Sequence, residues 1–292
     1  MNLKKFSGVV LSCILAGSIF TGCGDDAPKV PKSQIGIITK LNESEQNFNA
    51  HSNKLEESVK IPNVNLMQNY HYYKDFPSML AALNSKNIDE ISTYRSVANY
   101  IVAQNPKLEI LPHSIGMQDA FCFAVRKEDT ALRDALNSAI KTMQNADKSM
   151  EETNTISYIA KTYIAYLNPN DKAPVTAMPK IDGAETIKVG VTGDLPPLDL
   201  ILEDGTPAGF TTRMLEEISR LTNKNIEIVK IASDERATAL TSKKIDVAFW
   251  VTVPSENLEE SGKVPENVDV PAELEITAPY YEDEIVHIAL KK

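Results

Sequence analysis

Residues able to do chemistry are few and scattered in this sequence. The four histidines, His51, His71, His113 and His287, stand far apart, and His71 within Tyr70-His71-Tyr72-Tyr73 reads as a loop residue. There is no Gly-x-Ser-x-Gly elbow, no His-Glu-x-x-His pair, no phosphate-cradling glycine loop and no Cys/His cluster. Neighbouring carboxylates such as Glu56-Glu57 and Glu259-Glu260 read as solvated faces. Acid–base, nucleophilic and metal-assisted catalysis therefore lack their usual parts, and the chain reads as a non-enzyme with neither metal nor cofactor. What remains suits binding: the charged groups Lys40, Arg95 and Asp194, and the single tryptophan, Trp250. Trp250 fits equally a ring stacked on a ligand and a core residue at a strand end. Arg213 and Arg236 read as surface residues on helices.

Charge narrows the partner. A formal net charge of −10 over 292 residues argues against nucleic acid, whose phosphates require concentrated Lys and Arg. Met1–Lys5 carries two lysines and the uncharged stretch Phe6–Thr21 follows, which is the pattern of a secretory signal rather than a membrane span. The segment Ile19-Phe20-Thr21-Gly22-Cys23 resembles a bacterial lipobox, with Phe20 in place of the usual leucine; the other reading is a plain signal peptide with Cys23 left as a spare thiol. Lipidation at Cys23 would set the body on a membrane, facing outward. With Cys13 in the signal and Cys23 at the lipobox, Cys122 has no disulfide partner and reads as a small core residue.

The elements expected to hold these residues follow the order signal 1–22, tether 23–32, an α/β lobe over 33–167, a linker over 168–185 and a second α/β lobe over 186–292. In the first lobe, Gln34–Thr39 predicts a buried strand and Asn42–Val59 a polar helix capped by Asn42 or Ser44. Phe76, Met79, Leu80 and Leu83 place one apolar face on a helix spanning Tyr73–Ala82. Further strands are expected at Ile88–Thr93, Leu108–Leu111 and Ala120–Arg126, with helices at Ser96–Gln104, Thr130–Gln144 and Asn154–Leu167. The linker contains Pro169, Pro174, Pro179 and Gly183 and lacks apolar periodicity. Beyond it, strands at Thr186–Thr192, Ile226–Ile231 and Ile245–Val251 alternate with helices at Gly209–Leu221 and Glu235–Thr241. A local repeat links the halves: Met79–Asp89 and Arg236–Asp246 share a leucine six residues before an aspartate, with Ser-Lys and Ile-Asp in the same places.

Four motifs in the second half carry a resemblance: Ile187–Leu198 with its Pro196-Pro197 pair, Glu203–Phe210, Leu240–Asp246, and Ala278-Pro279-Tyr280-Tyr281. In this order they resemble the first lobe of family 3 extracellular solute-binding proteins, the polar amino-acid receptors of ABC importers. In the first half, Ile88-Asp89, Val97–Val102 and Phe123–Asp129 leading to Leu132–Asn137 resemble the second lobe of the same family. The resemblance implies a two-lobed periplasmic-binding-protein type II fold; the reversed lobe order reads as a circular permutation, with the strand Ile285–Leu290 running out at the hinge, and the rival reading is two half-domains that each lack a partner lobe. It implies a small polar solute, an ABC permease as partner, a monomer, and a place in the cell envelope. There the protein would be lipid-anchored at the outer face of the cytoplasmic membrane or in the periplasm.

Ligands in open α/β sheets bind beyond the carboxyl ends of strands. That rule selects Thr39-Lys40-Leu41-Asn42, Thr93-Tyr94-Arg95, Gly193-Asp194-Leu195-Pro196-Pro197-Leu198 and Trp250-Val251-Thr252. The family clamps an amino acid with an arginine after a Thr-Pro-like turn and an aspartate in the other lobe. Here Val253–Asn257 fills that turn without an arginine, Tyr94 stands where the aspartate is expected, and Leu198 replaces the aromatic after the Pro-Pro pair. Arg95 or Lys40 would then meet a carboxylate, and Asp194 an amine. Tyr280 and Tyr281 read as hinge packing. The alternative is a degenerate receptor acting as a sensor or protein-binding module; a third, enzymatic reading of the same fold lacks its residues.

Overall fold

The computed structural model describes residues 32–58, 68–112, 118–145, 151–165, 173–255 and 269–292. The signal segment, Cys23, the first residues of the linker and Glu256-Asn257 of the arginine-less turn lie outside the described residues. The chain is mixed α/β. In order it forms β1 (Ser33–Ile38), α1 (Glu45–Ser58), β2 (Gln68–Tyr73), α2 (Phe76–Asn84), β3 (Glu90–Tyr94), α3 (Arg95–Gln104), β4 (Leu108–Ile110), β5 (Gln118–Arg126), α4 (Thr130–Asn145) and α5 (Ile156–Ala160). There follow β6 (Thr186–Val191), β7 (Asp194–Leu195), β8 (Asp199–Ile201), β9 (Pro207–Ala208), α6 (Phe210–Thr222), β10 (Asn225–Lys230), α7 (Arg236–Thr241), β11 (Val247–Pro254), β12 (Leu274–Ile276) and β13 (Tyr281–Leu290).

The main sheet runs β10-β6-β11-β5-β13-β3-β1-β2, with β12 on β5 and β4 on β13. Two parallel units of one plan, β2-β1-β3 and β10-β6-β11, flank an antiparallel centre formed by β5 and β13. β13 serves both sides: Tyr281–Glu284 pair with β5, whereas Ile285–Ile288 pair with β3. β5, which falls in the segment 33–167, hydrogen-bonds to β11 and β12. Its run from Ala120 to Arg126 is buried throughout, as expected of a strand covered on both faces.

The repeat seen in the sequence is a repeat of structure. Lys86 and Lys243 both turn through the left-handed region, each at φ 60°. Asp89 accepts from the Gln34 amide and Asp246 from the Lys188 amide, at 2.8 and 2.9 Å, each carboxylate tying its strand to the first strand of its unit. Ile88 and Ile245 then lie over Gly36 and Gly190 in those first strands.

Local differences have local causes. His71 is a strand residue of β2, not a loop residue, its Nε2 lying 2.7 Å from the Gln34 side chain on β1. The helix expected from Tyr73 begins at Phe76 instead, because Asp75 caps it by accepting from the Ser78 amide and Pro77 fits a first turn. Ser44, rather than Asn42, caps α1 through the Asn47 amide. The helix expected over Asn154–Leu167 is the short α5, capped by Thr155, followed by a π-turn over Lys161–Ala165. Among the described residues no helix is long and apolar enough to cross a membrane.

Candidate functional site

The carboxyl ends of the two parallel units meet around one cavity of about 100 Å³, room for several waters or part of a small solute. One wall is the end of β1 and the turn after it, Ile37 to Leu41, with Ser92–Tyr94 from β3. The facing wall is Trp250–Thr252 from β11, with Leu195, Arg236 and Asp269. Asp119 at the start of β5 and Ile285 on β13 line the side where the two sheet halves join.

Six of the residues expected to touch ligand therefore come together here: Thr39, Lys40, Thr93, Tyr94, Trp250 and Thr252. Lys40 lies with its ammonium 5.6 Å from the centre of the Phe48 ring. Tyr94 donates to Asp119 at 3.0 Å and to Thr252 at 3.3 Å, and burial together with the Asp119 charge keeps its phenol neutral. The other five sit elsewhere. Asn42 turns its amide to Asp269. Arg95 is spent on Glu284 in a pair open to solvent. Asp194 accepts from the Phe76 amide at 2.6 Å, and burial raises its pKa. Pro197 and Leu198 face inward, their carbonyls taking the first amides of α6.

Trp250 is both wall and core. The register of β11 against β5 breaks between Ala248 and Val251, and Trp250 sits in that break at φ 66°. For an aromatic residue this is a strained backbone, of order 1–3 kcal/mol. Its ring stacks near Tyr94, centroids 6.4 Å apart, and meets Phe121 edge-on at 4.7 Å. Its indole N–H donates to Asp199 at 3.0 Å. Asp199 is 2% exposed and also accepts from Gly193 and Thr192; burial pushes its pKa up to about 6 against those three donors.

Arg236 is the residue that sequence reasoning misplaced. It is buried, not on the surface, at 6% exposure. Its guanidinium donates to the carbonyls of Ser233, Trp250 and Thr39, so three of its five N–H groups hold backbone and two remain. The bond to Thr39, 2.7 Å long, crosses from one parallel unit to the other. Among the described residues no carboxylate lies within ion-pair distance of it, and burial lowers its pKa while leaving it a cation. Its place in the repeat, where Met79 stands in the first copy, was the available signal: a charged residue at a position that is apolar in the other copy. Arg213 instead joins α6 to the Thr153-Asn154 turn, away from the cavity. Tyr280 and Tyr281 pack on Phe123, Phe249, Phe121 and Phe210. Among the described residues no group of His, Cys, Asp and Glu is placed to hold a metal ion.

Against solved structures, the chain is similar to the ligand-binding component of an ABC-type import system from Staphylococcus aureus, at 13% identity and a TM-score of 0.41, covering 88% of this chain and 65% of that one. It is similar to the GluR0 ligand-binding core of Nostoc punctiforme in complex with L-glutamate, at 10% identity and 0.36, covering 89% and 85%. It is likewise similar to a pheromone cOB1 precursor/lipoprotein of the YaeC family from Enterococcus faecalis, at 13% identity and 0.40, covering 89% and 86%. At such identities and scores these likenesses carry no functional argument. No curated protein sequence matches this one. Residues 187–260, which supply Asp194, Asp199, Arg236 and Trp250, match the family described as bacterial extracellular solute-binding proteins, family 3, and in that segment the resemblance read from the sequence is shown.

Proposed function

We propose that the chain is an extracytoplasmic solute-binding protein that takes an amino acid or a similar small zwitterion into the cavity and serves an ABC importer. The observation that carries this reading is Arg236, a buried cation at the cavity wall without a carboxylate partner among the described residues. Asp269 acts on it only through space, and a solute carboxylate would supply the direct partner that a buried charge otherwise lacks. Asp119, on another side of the same cavity, is the matching group for an ammonium. The arginine then comes from α7 and the aspartate from β5, which replaces the Arg95/Lys40 and Asp194 assignment expected from the sequence. The order of the two parallel units, with β13 pairing β3 of one and β5 beside the other, supports a circular permutation of the family's lobes. Cys23 is the proposed lipid anchor, tested by incorporation of labelled palmitate into the wild type and its loss in Cys23→Ser.

The test of binding is a thermal-shift screen of the full chain against amino acids, short peptides, simple carboxylates and polyamines. A solute at 100 times its Kd stabilises by about 2.7 kcal/mol. Arg236→Gln should abolish the shift given by carboxylates, Asp119→Asn only that given by amines, and Arg95→Ala should change neither. Silence across the panel from a folded protein would favour the sensor or protein-binding alternative.

A further inference from the structure

The cavity already contains a carboxylate of its own. Asp269 lines it and accepts from three successive backbone amides, those of Leu41, Asn42 at 2.5 Å and Glu43 at 2.6 Å. These amides belong to the turn between β1 and α1, in the β2-β1-β3 unit. Asp269 leads into β12, which pairs with β5, the strand beside β11 of the other unit. The contact thus spans the cleft. Converging amides of this kind form a concavity that binds an anion, and each bond to a carboxylate is charge-assisted. Asp269 also contributes to the field at Arg236, the cation assigned above to the solute. One side chain therefore fills the place where a solute's anionic end would find both amide donors and positive charge.

We infer that Asp269 is a tethered occupant of the anion-binding end of the cavity, an autoinhibitory carboxylate that holds the lobes together without solute and must be displaced when one binds. This rests on the solute-binding reading for its consequence, but not for its existence. A group tethered by a short chain segment has an effective concentration in the millimolar range, so a solute carboxylate competes against it and its apparent affinity falls accordingly. Asp269 is half-buried at the cavity rim.

The test measures hydrogen–deuterium exchange at Leu41–Glu43 in the full chain for wild type, Asp269→Ala and the near-isosteric Asp269→Asn, with acetate as probe. The expected result is exchange at least roughly tenfold faster in Asp269→Ala, restored toward wild type by acetate, with acetate making no difference to the wild type. Exchange unchanged in both variants, or equal protection of all three proteins by acetate, would overturn the inference. The same proteins go through the solute screen. A solute that binds Asp269→Ala at least roughly tenfold tighter than wild type supports the whole scheme. Equal Kd values refute the tethered occupant and leave the receptor reading standing. Acetate rescue of exchange, with no solute binding any of the three, keeps the occupant and removes the receptor.

Discussion

Asp199 is a buried carboxyl group whose charge the fold shifts strongly. The unfolded chain releases its proton near pH 3.8, whereas burial raises the folded value to about 6. Between those values the native state holds a proton that the unfolded state has lost, so stability falls as pH rises through the window and the loss is complete above it. The two values correspond to about 3 kcal/mol. Urea unfolding at about pH 4.5, 5.5 and 7 should show this decline, and Asp199→Asn should flatten it; an unchanged slope in the variant would mean that the charge is not controlled here. Cys122 is a simpler case: fully buried, with its thiol pushed up to about 12 by desolvation. Iodoacetamide should leave it unmodified in the native protein and alkylate it only after unfolding, as read by peptide mass. At this scale the sequence disclosed residue types better than directions. The Ala120–Val125 run announced a buried Cys122, and the rule about strand ends named Thr39, Tyr94 and Trp250, which line the cavity. Arg236 and Asp119 stayed hidden because a cation on a short helix and an acid at a strand start ordinarily face water; only the meeting of two distant parallel units buries them.

Between residue and whole, the repeated β-α-β unit explains most of what was legible. A helix face with apolar residues three and four apart, a left-handed lysine, an isoleucine and an aspartate recur because each step closes the same local circuit: the helix returns to the sheet, the isoleucine lands on a glycine, and the aspartate ties down the neighbouring strand's amide. β2 escaped recognition because Tyr70-His71-Tyr72-Tyr73 lacks the aliphatic alternation of an ordinary strand, its polar edges being satisfied by Gln34, Asn49 and Glu45. The isoleucine-over-glycine contact gives a paired prediction. A Cβ at Gly36 would come within 2.7 Å of both Ile88 and Met79, and one at Gly190 within 2.5 Å of Ile245 and 2.7 Å of Ile231. Gly36→Ala and Gly190→Ala should each destabilise by about 1–3 kcal/mol through overpacking, measured by urea unfolding. Equal costs at the two sites would show that the copies are mechanically equivalent. No loss at either would mean that these isoleucines yield freely.

At the scale of the molecule, two parallel units share one antiparallel centre, and polar bonds join their facing ends beside the apolar contact of Leu41 with the cluster of Ile231, Leu240 and Val251. Arg236 reaches Thr39; Ser233, 1% exposed, donates its amide and its hydroxyl to the Lys74 carbonyl at 3.1 and 2.8 Å; and Asp194 takes the Phe76 amide. Three residues of the 186–292 half thus grip two short segments, Thr39 and Lys74–Phe76, of the first. Such bonds contribute about 0.5–1.5 kcal/mol each when neutral and more when charged, enough together to bias an open–closed equilibrium but not to replace the covalent path through β13. The combined variant Ser233→Ala, Asp194→Ala should therefore keep its fold and open. Spin labels at Asn84 on α2 and Leu221 on α6, both exposed and one in each half, should report a longer and broader distance distribution than in the otherwise wild-type protein. If the distribution does not move, the central strands alone fix the angle between the halves, and the cavity does not change width by hinge motion.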